Sequence, residues 1–342
     1  MKIAIDISAL SSAHQYRGLG FYTKRLIAAF PSTFRPAKFS GSAPNSVDLI
    51  HYPSFTLFTQ PPRSTKTPYV VTVHDLIPLK YSQHFPLGLK GKALWLLQKN
   101  WLKKAAAIIT DSKVSKKDIQ TFTSLPAEKI NIIYLAADPA FKPIKDNQIL
   151  ESIKAKYNLP DKFILYVGDL NWNKNLVNLT KACLTLNYPL IVVGQQAVNL
   201  PTDLSHSELK DMSAFQQLAS KNLKKIFTLG FLPTPDLAAV YSLATCCAQP
   251  SRAEGFGLPV LEAFACGCPV VASKNTSLSE IVGTAAILIN PENQDELVKA
   301  LKGFWQQPAL RQHYSQLGLN QIKNYSWVKT AKQTIKVYEK AI

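Results

Sequence analysis

The residues best suited to chemistry lie together in Pro250-Ser251-Arg252-Ala253-Glu254-Gly255-Phe256-Gly257-Leu258-Pro259-Val260-Leu261-Glu262-Ala263. A short apolar strand pattern precedes this stretch and an apolar helical pattern follows it. Pro259 suits the first turn of the helix, where its missing N–H is not needed. Gly255 and Gly257 let backbone N–H groups approach a ligand closely. The helix start adds the positive end of its dipole, so the place suits an anion such as a phosphate. Glu254 sits on the loop, where it can face a group beyond the phosphates. Glu262 sits within the first helical turns, where it can accept two hydroxyl protons from a ribose. An ordinary Gly-rich turn flanked by two surface acids explains the bare spacing equally well.

A second stretch, Tyr166-Val167-Gly168-Asp169-Leu170-Asn171-Trp172-Asn173-Lys174-Asn175, is a loop between a strand and a helix. Lys174 can neutralise a departing diphosphate there; a solvated loop lysine is the plain alternative. Arg252 is the candidate for a second positive charge. Nearer the N-terminus, Gly18, Leu19 and Gly20, preceded by Arg17, admit close backbone approach at a helix start. Val71-Thr72-Val73-His74-Asp75 ends a strand in a histidine, whose ring nitrogens can bind a hydroxyl group. Asp75 can orient His74 or touch the substrate itself. Ser112 reads as a helix cap, with Lys113 and Lys116 near any phosphate bound beside it.

The elements that must position these residues alternate. Strands are expected at Lys2–Ile7, Val47–His51, Tyr69–His74, Ala107–Thr110 and Ile130–Tyr134. Helices are expected at Phe21–Phe30 and Leu89–Ala107, with a polar loop over Ser8–Gly20. The pattern breaks near Ala137–Tyr157, which carries Pro139, Pro143 and several charges. A second series follows, with strands at Phe163–Val167, Pro189–Val193, Ile226–Leu229, Cys246–Gln249, Pro269–Ala272 and Ala286–Ile289. Its helices are Asn175–Leu186, Pro235–Ala244, Pro259–Ala265 and Gln294–Gln306. Alternating strands and helices mean parallel sheets. The expected fold is therefore α/β, two doubly wound Rossmann-like domains facing each other across a cleft. Residues 1–145 form the first domain and 146–322 the second. Residues 323–342 form a helix capped by Ser326, with Trp327, Ala331, Ile335, Tyr338 and Ile342 on one stripe, closing on its own domain or crossing back to the first.

The chain has 342 residues, of which 46% are hydrophobic and 18% charged, enough to build globular cores and to exclude wholesale disorder. No apolar run reaches the ~18 residues of a spanning helix. The start, Met1-Lys2-Ile3-Ala4-Ile5-Asp6, reads as a buried strand rather than a signal peptide, so a cytoplasmic protein is expected. The five cysteines, Cys183, Cys246, Cys247, Cys266 and Cys268, lack zinc spacing and read as buried thiols. The net charge is +17, concentrated in residues 1–150, which hold 20 basic and 8 acidic side chains. Such a surface favours polyanions: phosphorylated substrates, an anionic membrane or nucleic acid. No nucleic-acid recognition motif accompanies it. Lys90, Lys92, Trp95, Lys99, Trp101, Lys103 and Lys104, set among leucines, suit a membrane interface; a core helix with a solvated lysine face is the alternative.

The residues from Pro250 to Glu262 resemble the signature of retaining glycosyltransferases of GT-B fold, family 4, which move a sugar from a nucleotide-sugar to an acceptor. The resemblance extends through Gly267-Cys268-Pro269-Val270-Val271-Ala272-Ser273, Ser279-Glu280-Ile281-Val282-Gly283, Asn290-Pro291-Glu292, Gly230-Phe231-Leu232-Pro233 and Tyr325-Ser326-Trp327. Arg17-Gly18-Leu19-Gly20 and His74-Asp75-Leu76-Ile77-Pro78 are similar to a branch that includes mannosyl- and rhamnosyltransferases. The resemblance implies that Glu254 contacts the donor sugar and Glu262 the ribose. Gly168, Lys174, Arg252, Gly255, Phe256, Gly257 and Leu258 complete the implied donor site. His74, Lys174 and Glu254 form the implied catalytic set. Gly18, Leu19, Gly20, His74, Asp75 and Ser112 lie on the acceptor side or in the cleft. The family pattern often has an arginine where this chain has Asp169, or just before the lysine where it has Asn173, so one expected cation is missing. GDP-mannose is the first-choice donor by branch, with UDP-sugars and dTDP-rhamnose left open. The expected acceptor is a saccharide or lipid-linked saccharide, on the cytoplasmic face of the inner membrane if the basic helix binds lipid. No D-x-D occurs, so no required metal and no cofactor are expected. A sugar-nucleotide epimerase of the same fold, or a non-catalytic binding relative, are the alternatives.

Overall fold

The computed structural model describes residues 1–11, 18–44, 46–62, 66–198 and 209–342. Two units emerge, one made of Met1–Ala136 with Tyr325–Ile342 and the other of Ala137–Asn324. The first unit closes at Ala136 rather than at residue 145. The connecting segment is tied to the second unit by Ile144 N–H, which donates to Ser242 Oγ at 3.1 Å, and by Phe141 edge-on to Tyr241.

Each unit is built on a six-stranded parallel sheet. In the first, β1 (Ile3–Asp6), β2 (Ala37–Phe39), β3 (Leu49–Tyr52), β4 (Tyr69–Thr72), β5 (Ala107–Thr110) and β6 (Ile130–Ile132) run in the order β2-β1-β3-β4-β5-β6. In the second, β7 (Ile164–Val167), β8 (Leu190–Val193), β9 (Ile226–Leu229), β10 (Cys246–Gln249), β11 (Val270–Ser273) and β12 (Ile287–Ile289) run in the order β12-β11-β10-β7-β8-β9. The central strands β3, β4, β5, β8, β10 and β11 are buried at every position. That is why they read as unbroken apolar runs rather than alternating ones. Strand order reverses between β7 and β10, and the loops leaving those two strands are the ones the sequence singled out. Open α/β sheets bind ligands at this kind of switch point.

Several elements escaped the sequence. Strand β2 and the helices Ile77–Lys80 and Ser277–Val282 are short, Pro308–Gln321 is weakly patterned, and Lys210–Lys221, which buries Met212, Phe215 and Ala219 on one stripe, is absent from the expected helices. The helix Asn147–Lys156 lies in the charged stretch read as a break; Asp146 caps it, and Ile153 alone is fully buried. The Gly18–Ala29 helix begins inside the expected polar loop, so Gly18, Leu19 and Gly20 form its first turn. Arg17 lies outside the described residues.

The C-terminal helix Trp327–Ala341 is capped by Ser326, whose Oγ accepts from Lys329 N–H at 3.2 Å. It packs on the first unit, with Trp327 near Phe21 and Tyr22. The buried face differs from the expected stripe. Ile335 is only partly buried and Ile342 is 60% exposed, while Thr330, Thr334 and Val337 are buried. The threonines tolerate burial because their hydroxyls are satisfied: Thr330 Oγ1 donates to the Tyr134 carbonyl at 2.7 Å, and Thr334 Oγ1 to the Thr330 carbonyl at 2.9 Å. Tyr338 Oη lies 2.6 Å from His51 Nδ1, His51 Nε2 lies 2.8 Å from Thr72 Oγ1, and Tyr22 Oη lies 3.2 Å from the same Thr72 oxygen. Burial, reinforced by the charge of His74, pulls the His51 ring down to about 3, so His51 is a neutral link in this buried chain.

Candidate active site

In the second unit two loops are laced together by asparagines. Asn173 Nδ2 donates to the Ala253 carbonyl at 3.0 Å, and Arg252 N–H donates back to the Asn173 carbonyl at 2.7 Å. Asn175 takes a left-handed φ of 59° and its amide donates to the carbonyls of Pro250 at 3.0 Å and Pro291 at 2.8 Å. Both asparagines are buried. Where family members place an arginine before the lysine, this chain has a buried amide holding the neighbouring loop. Sequence reasoning saw only the missing cation; the amide's partners lie about 80 residues away and leave no local signal.

The lacing brings Lys174 to Glu254. Lys174 Nζ donates to both carboxylate oxygens at 2.8 Å, and Ser251 Oγ donates to Oε2 at 3.1 Å. Ser277 Oγ donates to the Glu254 carbonyl at 2.7 Å and reaches the Phe256 carbonyl at 3.2 Å. The two side chains keep 20% and 13% exposure, so the pair is largely shielded yet open to a ligand. Gly255 and Phe256 are buried and Leu258 partly so. Gly257 has a φ of 114°, and a Cβ there would lie 2.2 Å from Leu278 Cδ2, so only glycine fits. It immediately precedes the Leu258–Ala265 helix, which brings the positive end of its dipole to the loop. Gly168 also has positive φ, 149°, and donates its N–H to the Val193 carbonyl at 3.0 Å. Asp169 offers its carbonyl to the buried Tyr166 hydroxyl.

Glu262 accepts a hydrogen bond from Tyr241 Oη at 3.0 Å. Burial pushes its carboxyl up to about 7, although the Tyr241 bond pulls the other way. Arg252 is already paired in this structure. Its Nε donates to Glu292 at 2.8 Å, its Nη1 to Asp211 at 3.2 Å and to the Trp172 carbonyl at 2.9 Å, and its guanidinium stacks 5.3 Å from the Trp172 ring. Two carboxylates already balance that charge.

In the first unit, His74 follows β4, but Asp75 does not orient it. Asp75 Oδ1 accepts from Ile77 N–H at 3.0 Å at the start of the short helix there. The partner of His74 is Asp111, after β5, with Nδ1 2.5 Å from Oδ2. Ser112 is fully buried and caps the Lys113–Thr123 helix by accepting from Ser115 N–H at 3.0 Å, so it has no surface to offer a substrate. Lys116 Nζ donates to the Ile130 carbonyl at 2.7 Å. All five cysteines are buried and free.

Two Rossmann-like units, with a lysine–glutamate pair and a glycine-rich helix start at the switch point of the second, define a protein of the GT-B class. A family model described as glycosyl transferases group 1 matches residues 150–321, and one described as Glycosyltransferase Family 4 matches residues 12–141. The O-antigen chain mannosyltransferase B of Escherichia coli is 30% identical over 85% of this chain and 74% of its own length. The serotype-specific mannosyltransferase WbdA of E. coli is 28% identical over 80% of this chain, which spans only 33% of that longer protein. The crystal structure of Anabaena HepE in complex with UDP and glucose matches with a TM-score of 0.74 and 17% identity, covering 99% of both chains. The chain belongs to the group 1, family 4 glycosyltransferases, and it is a glycosyltransferase of GT-B fold.

Proposed function

We propose that the second unit binds a nucleotide-sugar, GDP-mannose first among candidates, and that the protein transfers the sugar with retention to a saccharide or lipid-linked saccharide in surface polysaccharide assembly. The observation that carries this reading is the gathering of Lys174, Glu254 and Glu262 around the Gly255–Gly257 turn at the switch point. The mannosyltransferase relatives support the sugar and the polysaccharide context. Bound donor replaces the internal pair: diphosphate oxygens take the Lys174 ammonium, sugar hydroxyls take the Glu254 carboxylate, and the ribose takes Glu262. The bond from the sugar C1 to the phosphate oxygen breaks and the bond from C1 to the acceptor oxygen forms. The acceptor proton passes to the departing phosphate. Lys174, the backbone amides and the helix start stabilise the charge that builds on the diphosphate, as preorganised groups do elsewhere. None of these roles requires a metal.

The test is thermal melting with GDP, UDP, dTDP and ADP and their sugars, with chelator present. A ligand at 100 times its dissociation constant adds about 2.7 kcal/mol of stability. One nucleotide family should raise the midpoint, and Glu262→Ala should abolish the rise. No rise with any nucleotide at millimolar concentration overturns the donor site.

The Gly88–Lys104 helix supports attachment to the inner face of the cytoplasmic membrane. Leu89, Leu96 and Leu97 are 87%, 61% and 55% exposed, beside exposed Lys90, Lys92, Lys103 and Lys104. Trp95 and Trp101 do not join them; they pack inward, Trp101 stacking 5.3 Å from Tyr69. No helix among the described residues is long and apolar enough to cross a membrane. The protein should co-sediment with phosphatidylglycerol vesicles and not with phosphatidylcholine ones, and Leu96→Ser with Leu97→Ser should release it. Equal sedimentation of the double variant removes this helix from the proposal.

A further inference from the structure

His74 and Asp111 leave the carboxyl ends of the neighbouring parallel strands β4 and β5. Nδ1 of the ring faces Asp111 Oδ2 at 2.5 Å, and Nε2 faces the Pro53 carbonyl at 3.3 Å. An ionised carboxylate and a carbonyl accept hydrogen bonds and cannot donate them, so with Asp111 ionised the ring set between the two carries a proton on each nitrogen; burial raises the Asp111 carboxyl, while the charge of His74 and its hydrogen bond pull it back down. We infer that Asp111 is a positioning residue that holds His74 as an imidazolium, a charged hydrogen-bond donor for a substrate oxygen and not a base. The inference rests on the glycosyl-transfer reading only for the identity of that oxygen.

The surroundings leave His74 as the compensation for Asp111. The carboxylate is 2% exposed, and its Oδ1 has no hydrogen-bond partner among the described residues. A buried carboxylate without a countercharge is costly, and removing one member of such a pair strands the other. The other polar groups facing the ring do not compete. Tyr22 presents its ring edge-on, centroids 4.8 Å apart, and burial keeps its hydroxyl protonated. His51 is neutral, and Asp75 adds further negative charge. Burial by itself would pull the His74 ring down, but the charge of Asp111 and its hydrogen bond outweigh it, and the net direction is upward. The Tyr338–His51–Thr72–Tyr22 chain holds Tyr22 against the ring, so the C-terminal helix helps fix its plane.

With its proton-accepting positions filled, His74 cannot take the acceptor proton. It can turn Nε2–H from the Pro53 carbonyl to a substrate oxygen and stabilise negative charge there. The proton released by the acceptor then goes to the departing phosphate, as written above.

The experiment is nitrogen-15 NMR of the histidine rings in the full, ligand-free chain, with His74 assigned by its absence in His74→Gln. Both His74 nitrogens should show imidazolium shifts at pH 7. In Asp111→Asn the titration should move down by more than one pH unit. The alkaline limb of the pH–rate profile should move down with it. A neutral ring in the wild type at pH 7, with its proton on Asp111 instead, overturns the inference, as does an unmoved titration in the variant. If Asp111→Asn does not fold, the wild-type spectrum decides alone. The spectrum needs no substrate, so a charged ring in a protein that transfers no sugar would overturn the proposed function and leave the charge assignment standing.

Discussion

Lys174→Gln should lower the rate of sugar transfer by ~10²–10³-fold, the usual cost of losing one preorganised group that meets developing charge. In the ligand-free protein its ammonium bridges both oxygens of Glu254 at 2.8 Å. With Arg252 bound to Glu292 and Asp211, the proposed function makes Lys174 the cation that the two switch-point loops offer to a diphosphate. The substitution also leaves the Glu254 carboxylate with the Ser251 hydroxyl, so in the proposed function it should disturb the sugar position as well as the leaving group. The double variant Lys174→Gln, Glu254→Gln should therefore cost less than the product of the two single losses, because the groups act as a unit. Single-turnover rates with saturating donor measure this. A loss under threefold for Lys174→Gln would show that the diphosphate charge is met by backbone alone.

Glu262→Gln should weaken nucleotide binding at pH 8 by roughly tenfold or more, since hydrogen bonds to a charged acceptor contribute about 1.5–3 kcal/mol. In the wild type, affinity should rise as pH climbs through about 7, where the buried carboxyl ionises and becomes a full acceptor for ribose hydroxyls. The variant should bind with no such dependence. Stability should move the opposite way. The folded carboxyl holds its proton more tightly than the unfolded one, whose ordinary value is 4.5. Its contribution is thus fully present below 4.5 and lost as pH rises through about 7. The glutamine variant should therefore melt higher than the wild type at pH 8 and close to it at pH 4.5. Isothermal titration across pH 5.5–8.5 and melting curves at both ends measure the two effects. Wild-type affinity that does not change between pH 6 and 8 would exclude Glu262 as the ribose acceptor.

These two carboxylates illustrate how far local pattern reaches. Glu254 and Glu262 are legible because a strand, a glycine-rich turn and a proline-started helix follow one another within eighteen consecutive residues, Cys246 to Ala263. What that pattern does not contain is the state of each acid. Glu254 is paired with Lys174, whereas Glu262 accepts from a tyrosine hydroxyl and is pushed up to about 7 by burial.

The sequence by itself determined every strand but β2, the family, and the caps at Ser112 and Ser326. Continuous apolar runs such as Tyr69–Thr72 and Leu190–Val193 can only be interior parallel strands. Ser112 and Ser326 cap helices through bonds to residues three positions on. Tertiary structure alone decided the partners. His74 turns to Asp111 rather than to adjacent Asp75, because parallel pairing sets the ends of β4 and β5 side by side. Lys174 meets Glu254 because β10 crosses back to lie next to β7. The C-terminal helix buries Thr330 and Thr334 in place of Ile335, because a carbonyl at Tyr134 and the helix's own backbone receive their hydroxyls. Caps and strands follow from spacing within a few residues. Ion pairs and hydrogen-bonded dyads follow from which strand ends the sheet order makes neighbours, and that order is fixed by long-range packing.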